Sequence, residues 1–202
     1  MRRKRDSGIA LAAGLMLAIP ACRRLVWLVR NREEWVDTVR DEIRMVREYD
    51  PSITSDAQVV LTYSGLHAVW LHRWSNALWH GGHQLAAQMV CQLARVLTGV
   101  EIHPAAIIGR RLLIDHGMGV VIGETAVIGD DVVIYQGVTL GGVDNQPGWR
   151  HPHIGDNVLI GAGAAVLGAI TVGDGARIGA HAVVLRDVPP GCTVVGVPAE
   201  VV

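Results

Sequence analysis

Two short runs hold the side chains best suited to chemistry, Asp115-His116 and Arg150-His151-Pro152-His153. An unperturbed histidine titrates near pH ~6.5, so His116 could take the proton of a substrate hydroxyl as a general base. Arg150 offers a planar fork of donors that matches both oxygens of a carboxylate. Asp50 stands before Pro51 and could receive an ammonium group, although an isolated aspartate there is ordinarily a cap or turn residue. A lone histidine is likewise more often structural or simply exposed. What lifts His116 above that background is its place in the pattern of the chain.

Aliphatic residues recur six apart at Ile102, Ile108 and Ile114, again at Ile122, Ile128, Ile134 and Leu140, and again at Ile154, Ile160, Val166, Val172, Ile178 and Val184. Glycine often follows, as at Gly109, Gly123, Gly129, Gly155, Gly161, Gly173 and Gly179. A period of six fits neither an amphipathic helix nor an alternating strand. It predicts a solenoid in which each hexapeptide makes one short strand and one corner, and three of them close a coil of about 18 residues. The aliphatic side chain fills a narrow prism, and glycine suits corners where a Cβ would clash.

The pattern breaks twice. From Ile114 to Ile122 the step is eight, and from Leu140 to Ile154 it is 14, which is one hexapeptide plus eight inserted residues. Insertions leave a solenoid as loops, frequently on its binding face. The first break lies just beyond Asp115-His116, and the second contains Arg150-His151-Pro152-His153. Counting forward from His116 by whole coils, with each insertion added, gives Gln136, Ala162 and Ala180. These four are expected to form one column along a corner, from an imidazole to two alanines, lining a shallow groove for a long, thin ligand.

The preceding half reads as helical. Trp35, Val36, Val39, Ile43 and Val46 recur at helical spacing between Glu33 and Glu48, and Asp50-Pro51 ends that run. Leu66 to Leu78 and Leu85 to Leu97 read as two more helices divided by Gly81-Gly82. Trp70, Trp74 and Trp79 are expected to pack against the base of the solenoid. The organisation is therefore α+β: an extension at 1–32, a helical domain at 33–99, and a solenoid at 100–202 with an inserted loop at 141–153.

Composition excludes some functions. The 202 residues carry a formal net charge of -1, with eight Lys or Arg against Asp6 alone in residues 1–32. That extension is +7 and the remainder -8, an acidic body unsuited to nucleic acid. Cys22, Cys91 and Cys192 form no CxxC pair and read as reduced thiols of a cytoplasmic protein. Arg2-Arg3-Lys4-Arg5, the apolar run Ile9 to Ile19 and Pro20-Ala21-Cys22 resemble an export signal, and the run is shorter than the ~20 residues that span a bilayer. An over-extended start, a membrane-surface helix and a targeting segment all stay open.

Glu101-Ile102-His103-Pro104-Ala105-Ala106, Ile114-Asp115-His116-Gly117, Gly123-Glu124-Thr125-Ala126, Gln136-Gly137-Val138-Thr139-Leu140-Gly141-Gly142, Arg150-His151-Pro152 and Gly196-Val197-Pro198-Ala199 together resemble the bacterial serine acetyltransferases, of the hexapeptide-repeat acyltransferases. The likeness runs from about Glu33 to the C-terminus. It implies a left-handed parallel β-helix, an exception to the usual crossover hand, and transfer of acetyl from acetyl-CoA to the L-serine hydroxyl, the first step of cysteine biosynthesis. It implies His116 as general base, oriented by Glu101 where many relatives carry Asp, with His151 assisting. Asp50 and Asp115 would hold the serine ammonium, Arg150 its carboxylate, and the backbone of Gly142, Ala162 and Ala180 the pantetheine arm of the co-substrate.

The same likeness implies a homotrimer with sites between β-helices, often doubled to a hexamer, and feedback inhibition by cysteine. Relatives that dock into O-acetylserine sulfhydrylase use a C-terminal tail ending in isoleucine. Val202 follows directly on Gly-Val-Pro-Ala-Glu-Val here, so that partner is not expected. A sugar or other hydroxyl acceptor is the alternative substrate. Zinc chemistry of the γ-class carbonic anhydrase kind is not expected, because the position counted one coil from His116 holds Gln136 and His151 and His153 share one loop.

Overall fold

The computed structural model describes residues 32–202 apart from Asn145. Except for Arg32, the extension read at 1–32 lies outside the described residues, as does Cys22. Among the described residues four helices come first: α1 (Arg32–Tyr49), α2 (Asp56–Thr62), α3 (Ser64–His80) and α4 (Gln84–Thr98). Helix α2 has no counterpart among the helices expected from sequence. Seven residues are too few to display a period, and its clearest local mark is Ser55, whose Oγ accepts from the Gln58 N–H at 3.2 Å as an N-cap. Helix α4 ends at Gly99 in the left-handed conformation, φ 74°, the usual C-terminal use of glycine.

The rest is a parallel β-helix of two- and three-residue strands. Three sheets form its faces: A, of β1 (Glu101–Ile102), β4 (Val121–Ile122), β7 (Thr139–Gly141), β10 (Ala165–Leu167) and β13 (Val183–Val184); B, of β2 (Ile107–Ile108), β5 (Val127–Ile128), β8 (His153–Ile154) and β11 (Thr171–Val172); and C, of β3 (Leu113–Ile114), β6 (Val133–Ile134), β9 (Leu159–Ile160), β12 (Arg177–Ile178), β14 (Thr193–Val195) and β15 (Glu200–Val201). Ile102 pairs with Ile122, Ile108 with Ile128 and Ile114 with Ile134. Ile134 pairs with Ile160, and Ile160 with Ile178. Both insertions are thus expelled at corners, and the ladders resume in register on either side. In most strands the second residue is buried and the first faces outward. The aliphatics that face inward form one continuous core with Ala106, Ala126, Ala164, Ala176 and Ala182 at the corners. Each large aliphatic so buried contributes roughly 1.5–3 kcal/mol. At the far end β14 turns back to pair antiparallel with β15.

The helices close the near end. A second cluster joins Val46, Val59, Tyr63 and Leu66 to Leu113, the outward residue of β3, with Val133 and Trp70 at its margin. Approach of α3 is so close that a Cβ on Gly65 would stand 1.9 Å from the Ile114 carbonyl oxygen. Glu42, fully buried, accepts from Trp70 Nε1 at 2.9 Å and from the Arg73 guanidinium, the pairing a buried carboxylate needs. Of the three tryptophans expected at the base, Trp79 lies edge-on against His103 with ring centroids 5.1 Å apart. Trp74 is 55% exposed, a correction to that expectation. The buried face of α3 runs through Leu66, Val69, His72 and Ser75, and a residue one step before Ser75 is turned away from it.

Candidate active site

The corner between sheets C and A carries the first break in the repeat. Strand β3 (Leu113–Ile114) keeps its ladder through Asp115, whose N–H donates to Ile134 O at 2.8 Å. Two tight turns follow, Gly117 N–H to Asp115 O at 2.7 Å and Met118 N–H to His116 O at 2.9 Å. They lift His116 off the prism at φ 60°, with its side chain 70% exposed. Arg111, Asp131, Asn157 and His181 also have positive φ, but they occupy regular corner positions. Only His116 among these non-glycine residues adopts it within an insertion, and backbone conformations of this kind cluster at functional sites.

The ladder corrects one expectation. Gly137 N–H donates to Met118 O, Gly163 N–H to Gln136 O, and His181 N–H to Ala162 O. The column is therefore Met118, Gln136, Ala162, Ala180. His116 does not head it. Counting from Ile114 and counting from Ile122 give different residues, because the two extra residues fall between, and the hydrogen bonds select the count from Ile122. His116 stands beside the column instead, in the bulge.

Around His116 the structure gathers two carboxylates. Asp115 Oδ2 lies 3.9 Å from His116 Nε2, and Asp115 Oδ1 accepts from the Tyr63 hydroxyl at 3.1 Å. Asp50, released from the end of α1, accepts the Ser52 N–H at 2.8 Å. The Ser52 hydrogen bonds foremost, helped by the neighbouring His116, hold the Asp50 carboxyl below its usual range. The hydroxyls of Tyr49 and Tyr135 meet at 2.5 Å. The Asp115 charge helps to push the acidity of Tyr63 and Tyr49 weaker, after burial as the leading cause in each.

The second group occupies the next corner, between sheets A and B. Thr125 Oγ1 is its hub: it accepts the N–H groups of Arg150 and His151 at 3.1 Å each and lies 2.9 Å from His151 Nδ1. Thr125 N–H also points at that nitrogen, at 3.2 Å. The buried imidazole of His151 fills the space above Gly123, where a Cβ would stand 2.0 Å from its Cδ2. Arg150 forms an ion pair with Glu124. Trp149 stacks on His153 with centroids 4.4 Å apart, and its Nε1 donates to His151 O at 2.6 Å. Burial, then the Arg150 charge, lowers the basicity of His151. Burial also lowers that of His103, which feels Glu124, Arg150 and Glu101. Both rings are thereby biased to the neutral form.

Sheet A separates the two corners. Asp50, Asp115 and His116 belong to one, and Arg150 and His151 to the other. Glu101, on the outer side of β1 (Glu101–Ile102), pairs with Arg95 at 3.0 Å and lies within the field of His103. The residues expected to line a donor groove divide in the same way, Gly142 at the second corner and Ala162 and Ala180 at the first. Sequence reasoning missed the part played by Tyr49, Tyr63, Tyr135, Glu124 and Thr125. The tyrosines carry no local signal, for their partners are distant in the chain. Among the described residues no group of three or more His, Cys, Asp or Glu could hold a metal ion, and no helix is long and apolar enough to cross a membrane.

Residues 151–186 match the family model described as bacterial transferase hexapeptide (six repeats). A serine acetyltransferase of Staphylococcus epidermidis is 56% identical over 164 residues, which cover 81% of this chain and 77% of the relative. A crystal structure of Neisseria gonorrhoeae serine acetyltransferase superposes with a TM-score of 0.81 at 43% identity over 84% of this chain, and the match spans 65% of that chain. A soybean serine acetyltransferase complexed with serine gives a TM-score of 0.79 at 47% identity, covering 82% of this chain and 68% of that one.

Proposed function

Since the chain belongs to the serine acetyltransferases, we propose that it moves the acetyl group of acetyl-CoA to the hydroxyl of L-serine, giving O-acetylserine and CoA. The observation that carries this reading is the His116 bulge, an exposed imidazole raised beside two carboxylates, Asp115 and Asp50. Such an arrangement suits an acceptor with a cationic end and a hydroxyl to be deprotonated. A sugar offers no ammonium for these carboxylates, which disfavours the alternative acceptor.

Asp50 and Asp115 receive the serine ammonium. His116 takes the proton from Oγ as that oxygen bonds to the thioester carbonyl carbon. A backbone amide stabilises the resulting oxyanion. The carbon–sulfur bond then breaks, and the departing CoA sulfur recovers the proton from the imidazolium. No acyl-enzyme forms. The small residues Ala162 and Ala180 at the first corner, and Gly142 at the second, leave backbone accessible to the pantetheine arm. His151, held neutral by burial, assists as a hydrogen-bonding group, and Arg150 turns from Glu124 to the serine carboxylate.

Because sheet A stands between His116 and the pair Arg150 and His151, and the Glu101 carboxylate is engaged by Arg95, the site is completed between two chains, as in a closed trimer. Glu101 then orients a neighbour's His116. Doubling to a hexamer and cytoplasmic residence accompany this reading. Cysteine shares the ammonium and carboxylate of serine and occupies the acceptor site as an inhibitor.

The test is CoA release from acetyl-CoA with L-serine, homoserine and a set of sugars, with and without cysteine. L-serine is the preferred acceptor, and cysteine suppresses the rate. His116→Ala lowers kcat by about 10²–10⁴-fold with little effect on acetyl-CoA affinity. Preference for a sugar, or undiminished turnover in His116→Ala, overturns the reading.

A further inference from the structure

The chain has three tyrosines, and all three converge on the corner that holds His116. Tyr63 lies between α2 and α3, 9% exposed among Val46, Val59, Leu66 and Leu113. Its hydroxyl reaches out of that apolar cluster to donate to Asp115 Oδ1 at 3.1 Å. Tyr49 is the last residue of α1 and immediately precedes Asp50. Its hydroxyl meets that of Tyr135, which follows β6 (Val133–Ile134) one coil beyond Asp115. A phenol thus ties each acceptor carboxylate, or the residue next to it, across the junction between the helices and the β-helix.

We infer that Tyr63, with the Tyr49–Tyr135 pair, is a positioning element for the acceptor ammonium, so that the helical half works as part of the acceptor site; this rests on the serine reading above. A carboxylate on a free rotor can offer either oxygen in several directions. Occupying Oδ1 of Asp115 inside the protein leaves Oδ2, 3.9 Å from His116 Nε2, as the oxygen that meets the ligand. Fixing Tyr49 to Tyr135 sets where α1 delivers Asp50. Two carboxylates brought toward one cation repel each other until it binds. Each is restrained here by a donor of its own, the Tyr63 hydroxyl for Asp115 and the Ser52 N–H for Asp50. The tyrosine hydroxyls bond to Asp115 and to each other, so their effect falls on the acceptor side.

The experiment is steady-state kinetics of the full chain with both substrates varied, for wild type, Tyr63→Phe and Tyr135→Phe. Both variants keep the ring and its packing and remove one hydroxyl. The expected result is a rise in KM for L-serine of about tenfold in Tyr63→Phe, the loss of one hydrogen bond to a charged group. Tyr135→Phe shifts KM in the same direction. KM for acetyl-CoA stays within about twofold and the thermal midpoint near wild type. Equal changes in both KM values, or an unchanged serine KM, overturn the inference while leaving the serine reading intact. A wild-type protein with no turnover on L-serine overturns both.

Discussion

Mixing two inactive chains provides a sharp test of how the site is built. His116 stands at one corner of the prism and Arg150 at the next, with sheet A between them. Consider chains carrying His116→Ala co-expressed at equal levels with chains carrying Arg150→Ala. If one site needs His116 from one chain and Arg150 from its neighbour, random assembly of a cyclic trimer pairs the two intact residues at one interface in four. The mixture should then recover about 25% of wild-type kcat/KM for serine, far above the ~10²–10⁴-fold loss of the His116 variant alone. Carrying different affinity tags on the two chains, with both tags required in purification, confirms that mixed assemblies formed and raises the recovered fraction further. A preparation proven to be mixed, yet no more active than the better single variant, refutes the argument, because it places both residues in one chain's site.

Two further predictions concern closely packed histidines. Gly123→Ala puts a Cβ 2.0 Å from the His151 ring. Overpacking of this kind costs about 1–3 kcal/mol. A small loss of thermal stability, with a drop in kcat/KM for serine as the ring leaves Thr125, is expected; full activity would show that His151 has no part in the site. Burial foremost lowers the His72 pKa to about 4 in the folded chain. The unfolded chain therefore binds more protons between about pH 4 and 6.5, and stability present above pH ~6.5 is lost as pH falls toward 4. By the span of that shift the loss is about 3 kcal/mol. Denaturant titrations should show His72→Gln flattening this acid limb, and an unchanged slope would refute the assignment.

The sequence by itself determined the β-helix. A six-residue period is a local, repeated signal, and it names the inward residues and the strand pairs without knowledge of anything distant: Ile102 with Ile122, and Ile160 with Ile178. It also placed both insertions, and so found the corners where Asp115, His116, Arg150 and His151 lie. Three helices were legible from their apolar period, whereas α2 (Asp56–Thr62) was too short to show one.

Only the tertiary structure decided what happens inside the insertions and between the two halves. Period counting cannot say which side of a two-residue insertion keeps the column, and the hydrogen bond from Gly137 to Met118 settles it by the geometry of the ladder. Tyr63 meets Asp115 across 52 positions and Tyr49 meets Tyr135 across 86. Such contacts leave no periodic trace, because they follow from how an apolar helix face seats on the end of a prism. The division of the chemical groups between two corners has the same origin, since chain order alone does not reveal that a wall of sheet A stands between His116 and Arg150.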